Sequence, residues 1–185
     1  DHPDALHRSG LILHQIGQKE RALRRIERAV QLEPTNRVYL KNVCAICLDA
    51  GLVQKAVDYL GQALAIVPDS IELRYQLGNS HHMLGEFSRA VHAYRMLLSI
   101  QPDHVHAYHN LGAALHEMGE YHEAIACYKK ALSLNPALPE AMYNMGNSLR
   151  EIGLIDKAIS AMQKALTIKP DYVDALFNLA KLHTD

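Results

Sequence analysis

Five carboxamides recur in this chain at a fixed interval. Asn42, Gln76, Asn110, Asn144 and Asn178 lie 34 residues apart, with Arg8 one interval earlier. A carboxamide offers one acceptor and two donors, which suits both polar groups of a peptide backbone. Asparagine is also a mediocre helix former, because its side chain competes for backbone hydrogen bonds. A periodic row of them therefore has one of two jobs. It holds a guest polypeptide with little regard for the guest's sequence, or it bonds neighbouring helices and sets their geometry. Asn79 and Asn147 add carboxamides three residues on, and Tyr75, Tyr143 and Phe177 add aromatic groups one residue before.

The elements that carry this row are legible from the residues between. Pro34, Pro68, Pro102, Pro136 and Pro170 also stand 34 residues apart. At an average proline content of roughly 5%, five in phase by chance has a probability on the order of one in a million. With proline at position 32, the repeats run 3–36, 37–70, 71–104, 105–138 and 139–172, and a sixth begins at 173. Position 15 is glycine (Gly17, Gly51, Gly85, Gly119, Gly153) and position 20 is alanine (Ala22, Ala56, Ala90, Ala124, Ala158). Position 8 is small throughout, and position 27 is alanine except for Leu97. Glycine at 15 suits a helix end that needs φ > 0. Proline at 32 ends a second helix and pushes its predecessor out of the α region. Small residues at 8, 20 and 27 let two helices approach closely. In the fourth unit Tyr108, Leu111, Leu115 and Met118 share one helical face, and Tyr121, Ala124, Ile125, Tyr128, Ala131 and Leu132 share another. Each unit is thus a helix A, a tight turn and a helix B, and its neighbours complete its core.

Small at 8, glycine at 15, alanine at 20, small at 27 and proline at 32 is a pattern that resembles the tetratricopeptide repeat (TPR) family. The resemblance implies an all-α fold, a TPR α-solenoid wound as a right-handed superhelix of five full repeats plus a C-terminal helix. It implies a single TPR domain over 1–185, with 173–185 as the capping helix. In that helix Asp174, Lys181 and Asp185 are expected to face water, and Leu176, Leu179 and Leu182 to face in. In the family, positions 2, 5, 6, 9, 12 and 13 of helix A line a concave groove. Carried over, the peptide-binding residues are Asn42, Gln76, Asn79, Asn110, Asn144, Asn147 and Asn178, with Tyr75, His82, His109, Tyr143 and Arg150 as side-chain contacts. The stretch 142–153, MYNMGNSLREIG, is similar to units that precede O-linked N-acetylglucosamine transferase catalytic domains, where an asparagine ladder holds acceptor polypeptide. Departures are Arg74 and His81 at apolar positions of the third unit and Cys44 in place of glycine. The carboxylate clamp of chaperone-binding members is not expected, because Lys41, Ala45, Gln76, His106 and Asn110 match it at one residue in five.

Histidine and cysteine invite other chemistry. Of 12 histidines, His7, His14, His82, His106, His109 and His116 fall at groove positions. His106 and His109, at i and i+3, are a candidate metal pair or a pH switch near neutrality. A third metal ligand is not evident, and the plainer reading is polar histidines that bond a ligand or water. His81 reads as a core histidine. Cys44 and Cys47 occupy packing positions, and one such pair cannot supply four thiolates, so these and Cys127 read as core thiols suited to a reducing, cytoplasmic compartment. Lys19, Arg21, Arg24, Arg25 and Arg28 make the first helix B basic, either as a solvated face or as a patch for an acidic partner.

With 19 basic against 20 acidic residues the chain is nearly neutral, which argues against a dedicated nucleic-acid binder. No apolar run approaches the ~20 residues of a membrane span. Nine of ten glycines serve positions 8 or 15, which leaves no phosphate loop, and Glu117 and Glu120 are surface positions without an enclosed site. No cofactor, metal or catalytic constellation is expected. Asp1 and His2 sit at positions 33 and 34 of a preceding unit, so we expect a segment of a longer protein. The reading is a non-enzymatic scaffold that binds a protein or peptide, with no nucleic acid and no membrane. The substrate-recruiting arm of a larger enzyme such as a glycosyltransferase is the alternative. Self-association through terminal repeats is a third.

Overall fold

The computed structural model describes residues 2–182. Its helices are α1 (Pro3–Gln15), α2 (Lys19–Leu32), α3 (Arg37–Asp49), α4 (Val53–Ile66), α5 (Ile71–Met83), α6 (Phe87–Ile100), α7 (Val105–Glu117), α8 (Tyr121–Leu134), α9 (Pro139–Glu151), α10 (Ile155–Ile168) and α11 (Val173–Leu182). Odd-numbered helices are the A helices of the repeat, and even-numbered ones the B helices.

The punctuation residues act as the sequence predicts. Gly119 has φ 79°. Its N–H donates to His116 O (2.9 Å) and the Glu120 N–H donates to Leu115 O (2.9 Å). This is the paired-bond helix ending that requires a left-handed residue, and the other four position-15 glycines repeat the positive φ. At the far end of the hairpin, Asn135 before Pro136 is extended, with φ −137° and ψ 97°. Steric conflict with the proline ring stops α8 there.

The A helices begin on caps that periodicity did not single out. The Val38 and Tyr39 N–H groups donate to Asn36 Oδ1 at 3.1 and 3.3 Å. Leu73 N–H donates to Ser70 Oγ (3.4 Å), and Ala107 N–H to His104 Nδ1 (3.0 Å). Three side-chain types at position 34 satisfy the same orphan donors.

Contacts group the chain into two compact units, one ending at Glu86 and the other beginning at Phe87. In the first, α1 pairs with α2 and α3 with α4, while α3 also meets α1 and α2, and α5 packs on α4. Its core includes Ala22, Ile26, Ala29, Leu40, Val43, Cys47 and Ala56, all fully buried. In the second, α7 pairs with α8 and α9 with α10, with α6 against α7 and α11 against α10. Ala124, Tyr128, Ala131, Ala158, Met162 and Ala165 are fully buried there. The small positions thus lie where the helices of a hairpin approach most closely. No described helix is long and apolar enough to cross a membrane.

Two expected stripe residues depart from their faces. Met118 is 42% exposed, because it is the cap residue of α7 where the chain turns away. Leu176 is 47% exposed, not turned inward as expected. Helix α11 packs on α10, with Ala175 buried and Leu182 against the cluster of Ile125, Leu149, Ala158 and Ala161, and leaves Val173, Leu176 and Phe177 to solvent. Asp174 and Lys181 are exposed as expected, while Asp185 lies outside the described residues.

Candidate functional site

The carboxamide row sits on the A helices, and its members are half-buried. In the first unit Asn42 Nδ2 donates to His7 Nε2 across 35 residues, at 2.7 Å. His7 is buried and its ring lies 4.7 Å from that of Tyr39. Burial pushes the His7 pKa down, which keeps the ring neutral and Nε2 able to accept. Tyr39 OH in turn donates to Asp4 Oδ1. That bond holds the Asp4 carboxyl below its usual range and pushes the Tyr39 phenol up to about 12.

The second unit repeats the arrangement twice. Asn144 Nδ2 donates to His109 Nε2 at 3.0 Å, and His109 Nδ1–H donates to Asn110 Oδ1 at 3.1 Å. Both ring nitrogens of His109 are therefore engaged, so the His106–His109 pair has no nitrogen on His109 left for a metal. Burial pushes the His109 pKa down, consistent with a neutral ring. One repeat on, Asn178 Nδ2 donates to Tyr143 OH (2.8 Å) and to Asn147 Oδ1 (3.2 Å).

In these three pairs position 6 donates its amide nitrogen to position 5 of the preceding repeat. Gln76 makes no such bond. Its predecessor at position 5 is Lys41, which has no acceptor and pairs instead with Glu72 (3.2 Å). No side-chain hydrogen bond of Gln76 forms among the described residues. Bracing of the amide nitrogens leaves the oxygens: among the described residues no donor reaches Oδ1 of Asn42 or Asn144.

The remaining sequence-predicted residues divide between the units. Tyr75, Asn79 and His82 are half-buried on α5, beside Gln76 on the same helix. Arg150, on α9 with Tyr143, Asn144 and Asn147, ion-pairs with Glu151 at 2.8 Å. Arg8 and His106 are exposed. His81 is buried, with Nδ1 2.6 Å from Glu86 Oε2, as a satisfied core histidine. Burial pushes the Cys44 thiol up to about 12, and the Cys47 and Cys127 thiols up to about 11. Among the described residues no cluster of metal-binding side chains forms.

Two links were missed by sequence reasoning. Ser148 Oγ donates to the Asn144 carbonyl (3.2 Å), so the His116 Nδ1 2.8 Å from it donates to Ser148. Ser148 is fully buried, and the pair joins α7 to α9. His14 Nε2–H donates to Asp49 Oδ2 (3.1 Å), which also pairs with Lys19 (2.8 Å). These bonds hold the Asp49 carboxyl below its usual range. The available signal was spacing: His14–Asp49, His7–Asn42, His109–Asn144 and Asn178–Tyr143 all lie one repeat plus one residue apart.

Comparison with known proteins agrees with this geometry. Family models of the tetratricopeptide repeat match residues 3–36, 48–115, 105–138 and 127–160, and one described as TPR repeat matches 146–184. No curated protein matches significantly. Among solved structures, MamA is 26% identical, with a TM-score of 0.82, over 89% of this chain and 96% of MamA. YrrB, described as a TPR protein with an unusual peptide-binding site, is 21% identical with a TM-score of 0.81, over 94% of this chain and 89% of YrrB. A tetratricopeptide repeat protein from Parabacteroides merdae ATCC 43184 is 20% identical with a TM-score of 0.87, over 98% of this chain and 72% of its own. Hairpin geometry, repeat length and matched models converge: the chain belongs to the tetratricopeptide-repeat family, with the all-α TPR solenoid as its fold class.

Proposed function

We propose that this chain is a protein-interaction scaffold that holds an extended segment of a partner along its A helices. The observation that carries the reading is the asymmetry of the braced carboxamides. The amide nitrogens of Asn42 and Asn144 are engaged by the preceding repeat, and their oxygens have no donor among the described residues. A fixed nitrogen orients the oxygen, so each becomes a preorganised acceptor for a guest N–H, at little entropic cost on binding. Such contacts are blind to guest sequence; Tyr75, Asn79, His82, Tyr143, Asn147 and Arg150 supply the selectivity. The description of YrrB as peptide-binding supports this reading by analogy of fold.

The test separates holding a guest from bracing a helix. Peptides are selected from a random display library on the wild-type chain, and their Kd is measured by calorimetry against Asn144→Ala and His109→Leu. Asn144→Ala removes both the acceptor and the brace; His109→Leu keeps the Asn144 acceptor and removes its brace, together with the bond to Asn110. The expected result is at least a tenfold loss of affinity in Asn144→Ala and a clearly smaller loss in His109→Leu, with both destabilised by about 1 kcal/mol. Affinity per folded molecule that is unchanged in Asn144→Ala would make the row purely structural.

A further inference from the structure

At two seams between B helices of neighbouring repeats an ion pair joins position 25 of one to position 19 of the next. In the first unit Glu27 on α2 binds Lys55 on α4 at 3.0 Å, and Tyr59 OH also donates to Glu27 (3.3 Å). In the second unit Arg95 on α6 pairs with Glu123 on α8. At the next seam, between α8 and α10, the same two positions are Lys129 and Lys157. Two like charges replace the pair, and neither lysine has an ion pair among the described residues.

This seam is open. A cleft of about 550 Å³ lies between α8 and α10, with both lysines on its lining. Its floor is one face of α9, made of Met142, Met145 and Leu149, with the cap residue Ile152. Position 22 is small on both walls, Ala126 and Ser160, where α2 and α4 carry Arg24 and Asp58. Lys164 and His122 complete a basic, exposed rim, and no carboxylate lines the cleft.

We propose that this cleft is a second docking site, distinct from the carboxamide row, and that it takes an acidic amphipathic segment of a partner protein. Apolar side chains of the guest pack on the methionine-rich floor, which adapts to irregular shapes. Its carboxylates occupy the place of the missing anion between Lys129 and Lys157. The exposed rim on two roughly parallel walls suits a helix laid in a groove, with anchors at i, i+3 and i+7. The inference does not rest on the reading of the A-helix face.

The probe is a fluorescein-labelled 18-residue peptide with leucine at i, i+3, i+4 and i+7 spacing and glutamate elsewhere. One twin carries lysine for glutamate, and another serine for leucine. Anisotropy titrations give Kd, and the ε-methyl signals of Met142 and Met145 locate the site. The acidic peptide is expected to bind at least tenfold tighter than either twin and to shift both methyl signals. Lys129→Glu recreates the pairing of Glu27 with Lys55, and is expected to weaken binding at least tenfold while circular dichroism and Tm are kept. The proposal is overturned if the acidic peptide does not saturate, if the lysine twin binds equally, if Lys129→Glu has no effect, or if the methyl signals stay still. Displacement of the peptide by oleate or by phosphatidylglycerol vesicles at the same methyls would assign the cleft to lipid and overturn it equally.

Discussion

Replacing Gly112 by alanine tests the packing argument most sharply. Gly112 lies in the middle of α7, and a Cβ there would meet the Tyr128 ring, with Cε1 at 2.7 Å and Cδ1 and Cζ at 3.0 Å. Tyr128 is 1% exposed and has nowhere to retreat. In a helix interior, Gly→Ala gains up to ~1 kcal/mol from backbone propensity. Overpacking a filled core costs ~1–3 kcal/mol. Gly61 supplies the control. It is exposed inside α4, and a Cβ there meets nothing within 4 Å. Gly61→Ala should therefore stabilise by up to ~1 kcal/mol. Subtracting the two substitutions cancels the propensity gain and leaves the steric cost, ~1–3 kcal/mol. Urea unfolding followed at 222 nm reads both, and a difference of 2 kcal/mol would separate their Tm values by roughly 4–8 °C. Gly146→Ala should fall between, because its nearest contact is the flexible Met162 side chain at 3.0 Å. The reasoning fails if Gly112→Ala is as stable as Gly61→Ala, or if Tyr128→Leu does not relieve the cost of Gly112→Ala.

Two further outcomes follow from the buried titratable groups. Burial lowers the His109 pKa in the fold, while Asn110 and Glu140 raise it and His106 lowers it. Protonation therefore favours the unfolded chain: the contribution is complete above the ordinary histidine midpoint of about 6.5 and is lost as pH falls through the lower folded value. His109→Phe should flatten the decline of Tm below pH 6.5 in part, with His7 and His104, whose pKa values burial also lowers, contributing in the same direction, and an unchanged profile would remove His109 as its source. Cys44, Cys47 and Cys127 should resist Ellman's reagent at pH 8 until urea unfolds the chain, because burial holds all three thiols well above that pH; rapid labelling of the folded protein would contradict this.

Local rules made most of the fold legible. A proline every 34 residues, a glycine that needs positive φ and an alanine beneath the facing helix each act within one hairpin, so one repeat suffices to read them. The candidate site was legible only as a row. That Asn42 and Asn144 turn their amides onto His7 and His109 depends on which side chains of successive A helices meet, and no local rule supplies that. The pairing does leave a trace in hindsight: asparagine follows where position 5 of the repeat before is His7, His109 or Tyr143, and Gln76 follows Lys41. The groove histidines were harder still. His14 and His116 are at groove positions by spacing, yet each bonds the next A helix. Leu176 misled because an inward-facing stripe needs a helix to face, and the contacts of α11 with α10 and, through Asn178, with α9 leave Leu176 exposed.

A crystal structure of the chain with a display-selected peptide bears most directly on the scaffold reading. The account requires a guest backbone N–H within hydrogen-bond distance of Asn144 Oδ1, while Asn144 Nδ2 still donates to His109. A guest seated elsewhere, or an Asn144 oxygen that faces only water in the complex, would contradict it.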